Sequence, residues 1–195
     1  MASGDSLDPV TLKLRTEAIV LGGFLLLLWG VRLVDSLRQN AWLKAFGIHP
    51  RERLSLMAIL FSPFLHRDRS HLLGNSLPLM VLGWFVMLPD MRVFWLVTAV
   101  TILVGGFGTW LFGKAGTSHI GASGLVLGYF AHVLTRGFFA QDTNAVLFAF
   151  AVAGFYVGLF RLLYWRLPGT SFVGHFWGFL SGILSAWFST FMPAA

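Results

Sequence analysis

Long stretches without a charged residue constrain this chain more than any other feature. A bilayer core of ~30 Å needs about 20 helical residues with every backbone polar group paired internally. Six stretches fit or approach that need: 18–34, 70–88, 93–112, 121–135, 143–160 and 173–192. Arg32 sits near the end of the first, where its head can snorkel to the surface. With 56% hydrophobic and only 11% charged residues over 195 positions, an ordinary soluble domain is excluded. The expected fold class is an all-α, six-span membrane bundle.

The remaining sequence organises around those spans. Residues 1–17 read as an N-terminal tail and 18–192 as one membrane domain. The start carries Asp5 and Asp8 and lacks a basic opening followed by a small-residue cleavage site, so the first apolar segment is expected to be retained. The long connection 35–69 mixes Leu37, Trp42 and Phe46 with Arg38, Lys44, Arg51 and Arg53. It also contains an apolar run, 54–65, that holds Pro63 and is too short to cross a bilayer, so this loop is expected to lie in the interface as part of the fold. No second domain, repeat or low-complexity segment is visible.

Missing residue types narrow the chemistry. The absence of cysteine removes thiolate nucleophiles, disulfides and cysteine-ligated metals. There is no HExxH zinc motif and no aspartate pair within a span, so metal and aspartyl mechanisms are not expected. The net charge of +6 is scattered through loops, which suits anionic lipid headgroups and not nucleic acid. No mid-span Asp, Glu or Lys offers the ion-coupling site of a transporter.

Parity brings the polar residues together. In a six-span chain the second, fourth and sixth helices run the same way, so their N-terminal ends share one face. Those ends hold His71 and Asn75, then Ser123 within Gly121-Ala122-Ser123-Gly124, and His175 within Gly174-His175-Phe176-Trp177-Gly178. Counting back from Arg136 at ~1.5 Å per residue puts Ser123 about 10 Å below the near surface. A water-accessible cavity is therefore expected. Gly124 and Gly128 form one small-residue stripe and Gly174, Gly178 and Gly182 another, which would let the fourth and sixth helices approach closely.

A serine beside an imidazole can act as nucleophile and general base. All eight acidic residues are placed at or outside the span ends, so the expected arrangement is a dyad of Ser123 and His175 without a carboxylate. The oxyanion would be met by the backbone N–H groups of Ser123 and Gly124, with His71 and Asn75 as side-chain donors. Each residue alone has a structural reading as well. Ser123 could be a helix cap, His175 could bond a carbonyl, and His71 with Asn75 could bridge helices. His119 and His132 are left outside the catalytic set.

These motifs resemble the rhomboid intramembrane serine proteases. The resemblance runs from the first loop through His71-Leu72-Leu73-Gly74-Asn75 and the GxSG at Gly121–Gly124 to His175, Gly178 and Gly182. It implies a Ser123–His175 dyad, with His71 and Asn75 binding the oxyanion and His66 in a structural role. It also implies a six-helix fold that needs no cofactor or metal and cleaves transmembrane protein substrates within the bilayer, entering past the fifth helix. Many relatives carry Trp-Arg where this chain has Met57-Ala58, and an aromatic residue where it has Leu127. A catalytically silent relative that escorts membrane clients is the alternative, against which retention of both Ser123 and His175 argues. The family's usual orientation, in a bacterial cytoplasmic membrane with the site opening outward, runs against the charge distribution. Loops one, three and five hold more Lys and Arg than the segments with Lys13, Arg15, Arg92 and Arg136.

Overall fold

The computed structural model describes residues 8–52, 54–164 and 170–193; Asp5 and Arg53 lie outside the described residues. The first helix, α1 (Pro9–Leu37), starts nine residues before the apolar stretch. Asp8 explains the difference: its side chain accepts from the N–H groups of Val10 and Thr11, and Pro9 occupies the first turn. Residues 9–17, read from sequence as tail, are thus helical. A second correction concerns the acids, because Glu17 and Asp35 lie inside α1 and are buried. Glu17 accepts a 3.0 Å hydrogen bond from the Trp84 indole, and Asp35 accepts at 2.8 Å from the Trp42 amide. Neither lines the cavity described below.

Gln39 and Asn40 both adopt left-handed backbone conformations, and the chain turns there into two short helices, α2 (Ala41–Phe46) and α3 (Leu56–Phe61). Then come α4 (Arg69–Met87), capped by Asp68, and a continuous helical stretch, Met91–Phe112. That stretch comprises α5 (Met91–Val100), one wider π-type segment at Thr101–Gly105, and α6 (Gly106–Phe112). The remaining helices are α7 (Ser123–Phe139), α8 (Thr143–Phe155), α9 (Val157–Tyr164) and α10 (Phe172–Ser189). The fifth apolar stretch is interrupted at Tyr156, where a tight turn donates from Leu159 N–H to the Tyr156 carbonyl at 2.8 Å.

Among the described residues, three helices are long and apolar enough to cross a membrane: Pro9–Leu37, Arg69–Met87 and Met91–Phe112. Together with the apolar surface left exposed around the bundle, such as Leu26, Leu77, Phe150 and Phe155, they define an integral membrane protein. The core forms around α7, whose residues from Leu125 to Val133 are all buried. A helix apolar on every side belongs at the centre of a bundle. Its most extensive neighbour is α10, with α8 and α4 also packed against it.

Glycine determines how close α7 and α10 come. A Cβ on Gly178 would lie 2.9 Å from Gly124 Cα and 3.0 Å from its carbonyl carbon. One on Gly182 would meet the Gly128 carbonyl and lie 2.8 Å from Ala131 Cβ. The α7 and α10 backbones therefore meet at Gly124 with Gly178 and at Gly128 with Gly182. Gly105 and Gly108 extend this packing, because the Gly108 position abuts the Trp177 ring.

Candidate active site

The turn before α7 is held from three directions by the first loop. Ile48 and His119 exchange backbone hydrogen bonds of 3.0 and 2.9 Å. Gly121 N–H donates to the Ser62 carbonyl at 2.9 Å, and Ala122 N–H donates to His66 Nε2 at 3.2 Å. His66 is therefore the neutral tautomer that carries its proton on Nδ1, which faces the Phe64 carbonyl at 3.4 Å. Burial, followed by the neighbouring His71, pushes the His66 pKa down to about 4. Through this bond His66 anchors the residue before Ser123.

Gly121 could not be another residue without rearrangement. Its φ is +107°, and a Cβ there would lie 2.7 Å from the His71 ring. This brings the start of α4 against the serine turn. Ser123 then opens α7, while His175 lies one turn into α10, whose cap is Ser171. Ser123 Oγ and His175 Nε2 are 2.9 Å apart. His175 is buried, Ser123 half-buried.

Both groups border an open cavity of about 680 Å³ that is also lined by His71, Asn75, His119 and Ser171. Side chains from the N-terminal parts of α4, α7 and α10 thus border one cavity. Asn75 Nδ2 and His71 Nδ1 are buried without a protein partner. Such unpaired polar atoms are expensive unless something else meets them. The backbone offers more. Most long helices here have a side-chain cap, from Asp8, Asp68, Asp90, Asp142 or Ser171, but α7 has none. Its intrahelical bonding begins with Val126 N–H to the Ala122 carbonyl, so the N–H groups of Ser123 and Gly124 have no acceptor within the helix. His71 and Asn75 of α4 thus line the cavity that the serine and histidine border, beside the uncapped, positive end of the α7 dipole.

A smaller cavity, of about 60 Å³, lies beside Ser123 against Thr101 and Gly105. No cluster of potential metal ligands occurs among the described residues. His132 is buried in α7 and pairs with Ser185 at 3.1 Å, away from this site. Leu127 is fully buried in the core. Sequence reasoning missed Ser171, although a serine three residues before Gly174 at the start of an apolar helix is an N-cap signature. It also left the connection of His119 to Ser171 unseen.

The fold and site define a helical membrane protein that presents a serine–histidine pair, from two different helices, to a shared polar cavity. The family model for the rhomboid domain matches residues 53–190, and the chain belongs to the rhomboid family. It is 33% identical to uncharacterized proteins of Mycobacterium tuberculosis and Mycobacterium bovis over 199 residues, covering 95% of this chain and 82% of theirs. An uncharacterized protein of Mycobacterium leprae is 37% identical over 172 residues, covering 84% of this chain and 68% of that protein.

Proposed function

We propose that this chain is an intramembrane serine endopeptidase that hydrolyses peptide bonds in or beside the transmembrane segments of other membrane proteins. The observation that carries this reading is the 2.9 Å contact between Ser123 Oγ and His175 Nε2 at a cavity also lined by His71 and Asn75. Ser123 Oγ attacks the scissile carbonyl carbon as its proton passes to His175 Nε2. The oxyanion takes hydrogen bonds from Ser123 and Gly124 N–H, Asn75 Nδ2 and His71. His175 returns the proton to the leaving amine. It then accepts one from the water that attacks the acyl carbon, and passes it to Ser123 Oγ as the acyl–oxygen bond breaks and the acid product leaves. No cofactor enters any of these steps.

The same reading takes residues 18–192 as a six-span domain. The spans would be α1, α4, the Met91–Phe112 helix, α7, α8 with α9, and α10, with α2 and α3 in the interface. The mycobacterial relatives favour a bacterial cytoplasmic membrane, and the family topology would open the cavity to its outer side. Reporters of accessibility in loop one and at the C-terminus test that orientation. A fluorophosphonate probe tests the chemistry without a substrate. Labelling of the wild type that is lost in Ser123→Ala and His175→Ala supports the hydrolase. A folded wild type that stays unlabelled beside a labelled control protease overturns it in favour of a silent client-binding protein.

A further inference from the structure

His119 lies four residues before the nucleophile, and the dyad chemistry gives it no part. Its side chain and its backbone nevertheless join three separate segments. The backbone pairs in both directions with Ile48 of the first loop. The ring approaches Ser171 Oγ through Nδ1 at 2.5 Å and Thr117 Oγ1 through Nε2 at 2.9 Å.

The protons in this chain can be assigned from donor counting. The single Thr117 hydroxyl proton goes to the Lys114 carbonyl at 2.5 Å, so Thr117 Oγ1 accepts from His119 Nε2–H. Nδ1 then carries the lone pair and accepts the Ser171 hydroxyl proton. Ser171 Oγ in turn accepts from Gly174 N–H at 2.9 Å, while the Ser171 carbonyl accepts from His175 N–H at 2.9 Å. One neutral tautomer satisfies every member. Burial, with the nearby His49, lowers the His119 pKa and so favours that neutral form.

We propose that His119 is a positioning residue, locking the turn that carries Ser123 to the N-cap of the helix that carries His175 and so fixing the separation of the dyad. The proposal rests on the serine-hydrolase reading above. The nucleophile and the base belong to helices that start 49 residues apart in sequence, at Ser123 and Phe172. The glycine contacts set the spacing of the two helix axes, whereas this link controls the relative height and rotation of their N-terminal turns.

The test uses the full-length protein in detergent and three variants: His119→Ala, His119→Asn and Ser171→Ala. Asparagine keeps an acceptor close to the position of Nδ1, which alanine lacks. Because a displacement of about 1 Å between reacting groups costs on the order of 100-fold, the maximal rate of fluorophosphonate labelling should fall about 10- to 100-fold in His119→Ala. The half-saturating probe concentration and the thermal midpoint should stay near the wild type. His119→Asn should regain most of the rate, and His119→Ala should add little on a Ser171→Ala background. Wild-type labelling in His119→Ala overturns the proposal, as does equal loss of folding in the alanine and asparagine variants.

Amide hydrogen exchange over residues 172–176 provides a reading independent of catalysis. Faster exchange in His119→Ala, restored in His119→Asn, supports the link; unchanged exchange overturns it. If the wild type itself fails to label, the hydrolase reading falls, and exchange alone then decides whether His119 holds the cap.

Discussion

Gly178 lies directly on the backbone of Gly124, the residue after Ser123, closer than any side chain would permit. His175 is three residues before Gly178 on the same helix, so the close approach of α7 and α10 also carries the imidazole to the serine hydroxyl. Packing and chemistry share one contact.

Gly178→Ala should therefore damage both. Its Cβ has no flexible neighbour to displace, only the Gly124 main chain, so helix separation is the available response. Overpacking of this kind costs about 1–3 kcal/mol. Gly182→Ala meets the Gly128 carbonyl four residues farther from the site. The two variants should lower the thermal midpoint similarly, while probe labelling falls much further in Gly178→Ala. Equal labelling in both would show that the helix contact does not control the dyad.

Asn75 invites the opposite trade. Its Nδ2 is buried and unpaired, a cost the resting protein bears without return. Asn75→Leu should keep or raise thermal stability while lowering kcat about 100- to 1000-fold, the usual cost of one oxyanion donor. KM should change little, because on the proposed mechanism the donor would meet charge that develops only after attack. His71→Ala should lower kcat as well. Kinetics on a peptide-bond reporter in detergent would separate the two constants. A rise in KM at constant kcat would assign Asn75 to ground-state binding instead.

Gly121→Ala tests the turn itself. The φ of +107° is strained for any residue with a side chain, and the new methyl would press on His71. Labelling should drop well over 10-fold, on the scale of other misplaced catalytic groups. Combining it with His71→Ala should relieve the steric part but not the backbone part. A double variant that regains the full His71→Ala rate would show that the backbone conformation is not limiting.

How much of this was legible in the sequence depended on the range of each interaction. Ser123, His175, His71 and Asn75 stood out because polar groups are rare in apolar stretches, and helix parity alone placed them on one face. The glycine stripes were visible for a similar reason: spacing of four residues is a local pattern. Other features needed the path of the loops. That His66 faces Ala122, or His119 faces Ser171, follows from how residues 54–68 and 113–122 wrap the helix ends, which no periodicity encodes. Glu17 read only as an acid at the end of a span, because its burial against Trp84 depends on a distant helix. The early start of α1 was readable, since Asp8-Pro9 is a capping signal, but the apolar stretch drew the boundary inward.

The anchor at His66 makes stability depend on pH in a defined direction. Folded, its pKa is about 4, below the ordinary 6.5 expected when the chain unfolds. Above pH 6.5 both states hold a neutral imidazole, and His66 adds no pH dependence. As pH falls from 6.5 towards 4, the unfolded state binds a proton that the folded state refuses, and stability declines. The full shift corresponds to roughly 3 kcal/mol, the decline levelling off once the folded state is also protonated. At that point Nε2 can no longer accept from Ala122 N–H, and the serine turn loses one of its three tethers. The thermal midpoint of the detergent-solubilised protein, followed from pH 7 to pH 4, should fall across this window. His66→Gln, which can still accept from Ala122 but does not titrate, should flatten the part of the curve due to His66. An unchanged slope in that variant would move the effect to another group and leave His66 as a neutral packing element.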